Sequence, residues 1–361
     1  MQDGRGAMEL SDADVTLLLA LQRDGRASFE SLGRVAGLSR TAARARVARL
    51  IDSGIVRIVG VVHPQVHGLR IAAHLMISHV GPARQVAKTV AGLADVPFVA
   101  VVTGEFGVVA EIHSADIADL AEVIAAIRGV DQVLRVETSV YTAVLKDSFL
   151  PSKALRPTDL DETDLRLIGL LQADGRTPFA DLGEAVSLSA GAARARVLRL
   201  LDCGVIHVRG LISPAGVGLT DICGFDLVLA GDGTGVLRKI AEMDSVAYLA
   251  AAVGRSDAVG TVMGRNGGDA LASLEQIRCL PGVRQVSAWT RLDGVKERYE
   301  RPLPASGAML VGAGPTMGLN AGTWPDHLSA GAAESADSEP AATGLPVSLH
   351  SASEQKRNSH D

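Results

Sequence analysis

The sequence predicts an α+β protein made of two tandem copies of one unit. Each unit has three helices followed by a ferredoxin-like β-α-β-β-α-β alternation, and a disordered tail follows the second copy. Two observations predict this. Residues 21–69 align without a gap on residues 171–219 at an offset of 150, with 24 of 49 positions identical, and a repeat of that length marks the folding unit. Within each copy the hydrophobic period changes from helical spacing to short Val- and Ile-rich runs that alternate with helical stretches. The offset of 150 holds at Val96/Val246, Ala100/Ala250 and Gly104/Gly254. It then slips by three residues, which pairs Gly129-Val130 with Gly282-Val283.

Taken in order, Ser11 or Asp12 caps a first helix that runs to about Arg23, and Asp161 caps its counterpart. Phe29, Leu32 and Val35 share one face of a short second helix that Gly37 ends. Ser39 caps a third helix that buries Ala43, Val47, Leu50 and Ile51 and stops at Gly54. Two short helices joined through a glycine-containing turn make a helix-turn-helix. A strand over 55–62 leads to Pro64. Then come a strand over 71–79, a helix over 84–93, strands over 96–102 and 108–113, a helix over 117–127 and a strand over 132–141. The second copy repeats this at 222–229, 236–243, 246–253, 258–263, 269–279 and 285–291. The domain boundaries are therefore 9–62 and 63–147, a linker over 148–158, 159–212 and 213–299, and a tail over 300–361 that is rich in Ala, Gly, Ser and Pro.

Composition narrows the function classes. Only 3% of residues are aromatic, which argues against readers of single-stranded nucleic acid that stack bases on rings. The net charge is −6, so contact with a polyanion must come from a local basic face. Cys203, Cys223 and Cys279 have no metal-ligand or disulfide spacing, which fits a reducing cytoplasm. No secretory signal or membrane span is expected, because the most apolar stretch, 55–80, is broken by Arg57, His63, Pro64, His67, Arg70 and His74. His63 and His67 have i, i+4 spacing but fall around Pro64, where a helix is not expected, so neither a metal nor another cofactor is called for.

The local basic face is the third helix. Arg40, Thr41 and Arg44 lie in its first turns behind the Ser39 cap, where a recognition helix meets base edges of double-stranded DNA. Arg46, Arg49 and Arg57 are placed for phosphates. Arginines on a helix are ordinarily a solvated face, and it is their place after a capped turn that favours reading. Residues 32–57 hold six Arg against Asp52, whereas 182–207 hold three Arg against Glu184 and Asp202, or +5 against +1. Ala190 and Gly191 stand where the first copy has Arg40 and Thr41. The first copy is therefore expected to set specificity. The second either adds phosphate contacts through Arg194, Arg196 and Arg199 or is a structural remnant.

These residues resemble the Lrp/AsnC (leucine-responsive, feast/famine) family. The resemblance is carried by LSDADVTLLLALQRDGRASFESLGRVAGLS and LDETDLRLIGLLQADGRTPFADLGEAVSLS, by RTAARARVARLIDSGIV and AGAARARVLRLLDCGVI, and by the GEFG and GRSD turns. It covers about 9–146 and 159–299. It implies a winged-type helix-turn-helix joined by a strand to a ferredoxin-like domain that binds effectors and forms oligomers. With two copies fused, one chain could form the family's dimer by itself. The family's effectors, often amino acids, bind near a turn written G-D-x-D. That assigns Gly104, Glu105 and Phe106 in the first copy and Gly254, Arg255, Ser256 and Asp257 in the second, neither a full match. Tight turns that need a glycine are the plain alternative.

The implied function is a cytoplasmic, sequence-specific transcription regulator. Its partners would be DNA, an amino acid or other small effector, and further copies of itself. A modulator that pairs with relatives without binding DNA is the second reading. An enzyme is the third, because siroheme decarboxylases share this fold and also occur as fused pairs. Their pattern sets His, Tyr, Arg and Trp around the second and third strands, where this chain offers His113 and Tyr248, so no catalytic residue is assigned.

Overall fold

The computed structural model describes residues 10–147, 155–297 and 309–311. Helix α1 (Asp12–Arg23) is capped by Ser11, and Asp14 reaches back to the Ser11 N–H at 3.1 Å, so the two form a capping box. Helix α2 (Phe29–Ala36) ends at Gly37, which is left-handed at φ 66°, and α3 (Arg40–Asp52) starts from the Ser39 cap. Ile51, expected on the buried face of α3, is 39% exposed, and Val35, grouped with Phe29 and Leu32 on one face of α2, is 55% exposed. The chain folds back so that the Leu38 carbonyl lies against Gly33, which turns the inner face of α2 to Leu32 and Gly33 and Val35 outward. Ile51 follows Leu50, a rotation of about 100° off the face that Ala43, Val47 and Leu50 bury.

Strand β1 (Val56–Val62) runs into a 3-10 turn at Pro64–His67 that the sequence reading did not allow. Proline is tolerated there because a first-turn residue needs no N–H, and His63 caps the turn. The first ferredoxin-like domain follows as β2 (Ile71–His79), α4 (Ala83–Ala91), β3 (Phe98–Val102), β4 (Val108–Ser114), α5 (Ile117–Arg128) and β5 (Val133–Asp147). After β6 (Thr158–Leu160) the second copy runs α6 (Glu162–Ala173), α7 (Phe179–Ala185), α8 (Ala190–Asp202), β7 (Ile206–Ile212), β8 (Asp221–Leu229), α9 (Thr234–Glu242), β9 (Val246–Gly254), β10 (Ala258–Gly264), α10 (Gly267–Arg278) and β11 (Val283–Glu297). The slip of three residues is overturned: α5 and α10 start at 117 and 267, and β5 and β11 at 133 and 283, so the offset stays 150 to the end. The Gly-Val match was a coincidence of two residues where the repeat is faint.

Thr158, placed in the linker, begins β6, and β6 pairs with β12 (Met309–Val311), which lies inside the segment expected to be disordered. Met309, Leu310 and Val311 form an apolar triplet that supplies a strand to the β6 edge. The rest of the expected tail and residues 148–154 of the expected linker lie outside the described residues.

Each ferredoxin-like domain contributes a four-stranded antiparallel sheet, and the sheets join edge to edge through β5–β9 and β11–β3 into a closed barrel ordered β10-β8-β11-β3-β4-β2-β5-β9. Closure removes both pairs of open edges. The helices cover the outside of the barrel, while Met76, Val109, Tyr141, Val144, Ala250 and Trp289 pack between the sheets. The two copies are also crossed at the heads. β1 pairs antiparallel with β7, with Val59 opposite Arg209, and Leu17, Leu18 and Leu21 of α1 share a core with Val208 and Ile212. One chain thus builds internally the pseudo-symmetric pair that the repeat implied. Among the described residues, no helix is long and apolar enough to cross a membrane.

Candidate nucleic-acid interface and ligand pocket

Helix α3 presents Arg40, Thr41 and Arg44 to solvent on its first turns, and Ser39 caps the Ala42 N–H at 3.2 Å. Arg57 projects from β1 next to this helix and is also exposed. Arg46 and Arg49 are engaged differently from what the sequence suggested. Both reach the Asp14 carboxylate, which is 1% exposed, at 3.1 and 2.9 Å, and Arg46 also donates to Ser11 at 2.7 Å. Burial pushes the Asp14 carboxyl up, but the bonds from Ser11 and Arg46 and the charge of Arg49 outweigh it and hold the group below its usual value. These arginines staple α3 to α1, and their partly exposed heads still border the interface. The second copy repeats the staple: Arg196 bonds Asp161 at 2.6 Å and Asp164 at 3.0 Å, and Arg199 bonds Asp164. Arg194 is exposed, but it stands behind Ala190 and Gly191, so α8 offers one long cation on its first turns where α3 offers two.

Sequence reasoning missed the groups that fix one head to the other. Arg26 stacks 4.5 Å over the Phe179 ring and donates to the Gly175 and Thr177 carbonyls at 2.7 and 3.0 Å. Arg176 stacks 4.6 Å over Phe29 and donates to the Ala27 carbonyl. These are cation–π contacts across the pseudo-dyad. The signal was the duplicated Asp-Gly-Arg triplet, whose Gly25 also donates its N–H to Val208 across the same junction.

The effector turns lie at the barrel end away from the heads. Gly254 has φ 126°, and a side chain there would press into the Thr138 carbonyl, so glycine is required. Beside it opens a pocket of about 490 Å3. Gly254 and Arg255 line it with Glu137 and Thr138 of β5, Asp226 and Val228 of β8, and Gln285 and Ser287 of β11. The Arg255 Nε donates to Asp226 at 3.0 Å and its Nη1 donates to Glu137. Burial lowers the affinity of this guanidinium for its proton, but the two carboxylates overcome it and leave the pKa above its ordinary value. Ser256 turns inward to Ser139 at 2.8 Å, and Asp257 accepts the Leu229 N–H at 2.7 Å, so of the four assigned residues only Gly254 and Arg255 reach the pocket. In the first copy, Glu105 pairs with Arg135, and the buried Phe106 ring lies between Arg135 and Arg255 at 4.9 and 4.6 Å. The lining from β5, β8 and β11 was invisible in the sequence, because it depends on closure of the barrel.

His113 and Tyr248 are not isolated. His113 bonds Glu111 at 2.5 Å, Tyr141 approaches the same carboxylate at 3.5 Å, and Tyr141 and Tyr248 have ring centroids 6.0 Å apart. His74 stacks on Trp289 at 5.5 Å, and burial drives its pKa down to about 4. The pocket lining includes none of these residues. Among the described residues, no cluster of His, Cys, Asp and Glu could hold a metal ion.

Comparison with known proteins adds to this geometry. An AsnC-type helix-turn-helix domain model matches residues 10–51 and again 160–201, and an Lrp/AsnC ligand binding domain model matches 75–151. A helix-turn-helix-type transcriptional regulator of Pyrococcus abyssi is 30% identical over 142 residues, which take up 38% of this chain and 90% of that protein. The chain belongs to the Lrp/AsnC family of transcriptional regulators. Nearly the whole of that relative corresponds to 38% of this chain, as a duplicated unit followed by further residues would give. The regulator AldR of Mycobacterium tuberculosis is 44% identical over 71 residues, 19% of this chain and 38% of that protein. The crystal structure of the siroheme decarboxylase NirDL superposes with a TM-score of 0.58 over 80% of this chain and 93% of that one. At 16% identity this is a likeness of fold, and it shows that the Lrp/AsnC architecture of this chain also exists in an enzyme.

Proposed function

We propose that this Lrp/AsnC protein is a cytoplasmic, sequence-specific DNA-binding regulator in which one chain supplies both heads. The first head reads bases through Arg40, Thr41 and Arg44. The second holds backbone phosphates through Arg194, with the exposed parts of Arg196 and Arg199 beside it. A small ligand at the 254–255 turn adjusts the assembly. The observation that carries this reading is the contrast between the exposed first turns of α3 and α8, set in two heads whose internal staples are the same. Because β1, β7 and the crossed arginines fix the heads to each other, the two contacts on DNA are expected about 34–36 Å apart or a multiple of that. Large apolar side chains left exposed on the barrel at Leu134, Val253 and Leu292 support further association of such units.

The test is fluorescence anisotropy of the full chain with the DNA upstream of its own gene, in physiological salt and with a scrambled competitor. Tight, competitor-resistant binding is expected. Weak, salt-sensitive binding equal on both DNAs would instead favour a modulator that acts through partner regulators.

A further inference from the structure

The pocket beside Gly254 rests on the ligand-binding part of the function proposed above, and its chemistry carries that reading further. At the corresponding turn of the first copy a buried side chain, Phe106, fills the space. At the offset of 150, Ser256 corresponds to Phe106, and Arg255 and Gln285 correspond to Glu105 and Arg135. Where the second copy has a small hydroxyl that folds inward to Ser139, the first has a buried ring wedged between two guanidiniums, over a Glu105–Arg135–Glu137 chain of ion pairs. The pocket described above opens at the second turn.

The charge of that space is specific. Two carboxylates face it, Asp226 and Glu137, and its single cation, Arg255, already donates to both. The lining therefore carries one negative charge in excess, and adding Arg135 and Glu105, the next groups behind it, leaves the same excess. An incoming anion would meet two carboxylates and an arginine that is already engaged. An incoming ammonium or guanidinium would be held by charge-assisted hydrogen bonds. On the same wall Thr138 contributes its backbone carbonyl, which accepts the Arg255 N–H at 3.1 Å and holds that arginine at the pocket.

We propose that this pocket binds one small organic cation per chain, an amine or guanidine the size of an amino acid, between Asp226 and Glu137, while Phe106 keeps the twin site shut.

The experiment is isothermal titration of the full chain with L-lysine, L-arginine, putrescine, L-leucine and L-glutamate at constant ionic strength. A basic ligand is expected to bind at one per chain and at least about tenfold tighter than leucine or glutamate. Putrescine separates the sources: equal binding of putrescine and lysine identifies a polyamine-type ligand, and lysine alone an amino acid. Gln285→Glu adds a carboxylate at an exposed lining position and is expected to tighten the cation about fivefold, whereas Glu137→Gln weakens it by a similar factor. Two equivalents per chain, a preference for glutamate or leucine, or no binding by any of the five would overturn the proposal. The DNA titration on the same preparation keeps the readings apart, since intact operator binding with no cation uptake rejects this inference alone.

Discussion

The first and second heads are built from the same staples and differ on the surface they turn to solvent. Asp14 with Arg46 and Arg49 recurs as Asp164 with Arg196 and Arg199, and Arg26 over Phe179 recurs as Arg176 over Phe29. Against that background Arg40-Thr41 becomes Ala190-Gly191, and Arg57 becomes His207. Residues that hold helices together have been kept in both copies, whereas the outward-facing Arg40, Thr41 and Arg57 have diverged and Arg44 has not. Folding constrains both halves, because each head rests on the other half's strand, whereas under the function proposed above base reading would constrain only the first. The barrel shows the same divergence inside: His74 stacks on Trp289, but their counterparts are Gly224 and Ser139.

That interior difference gives the largest expected effect. His74 titrates near 4 when folded and near its ordinary 6.5 when unfolded, so between those values the unfolded chain binds the extra proton. Stability is therefore expected to fall by about 3 kcal/mol as pH drops from 7 to 4. Denaturant unfolding across that range checks it, and His74→Phe should flatten the slope. A slope that survives the substitution would place the titration elsewhere. Next is Gly60→Ala, whose new carbon would lie 2.5 Å from Ile206 Cδ1 and 2.9 Å from the Leu171 carbonyl oxygen, against 3.0 Å or more from any neighbour of Gly210→Ala. Losses of about 3 and about 1 kcal/mol are expected in the same unfolding assay. Equal losses would mean that the ribbon relaxes alike on both sides.

On DNA, Arg44→Ala is expected to cost about 2 kcal/mol and to relax preference at one base position. Arg194→Ala should cost under about 1 kcal/mol, uniformly across sequences. Anisotropy with single-base variants of the site separates these, and a larger loss at Arg194 would reverse the assigned roles. A comparably small effect, on stability rather than on DNA, is expected for Arg26→Ala or Arg176→Ala, about 1 kcal/mol each from the lost ring contact and carbonyl bonds, visible as a lower melting temperature.

The parts of this architecture that were legible in the sequence are local. Ser39, Gly37 and the Asp161 cap mark helix ends through their own hydrogen bonds and φ angles, so each could be placed to within a residue or two. Barrel closure has no local sign, because β5–β9 and β11–β3 join strands about 100 or more residues apart through backbone bonds that any residue can make. The pocket inherits that opacity, since Glu137, Asp226 and Ser287 meet only once the sheets are joined. The Ser11 cap was legible, but Asp14 as its partner and as a buried carboxylate was not, since nothing in its neighbours reveals that two arginines of α3 reach it. The first-copy effector turn looked like a binding loop until Phe106 was found inside the core.

Under the function proposed above, one chain makes a complete pair of heads of which only the first reads bases. Selection of bound sequences from a random duplex pool with the full chain separates the two heads. The expected motif is asymmetric, with one half-site of high information and, about one helical turn or a multiple away, a second half with little or none. A palindrome with two half-sites of equal information would contradict it.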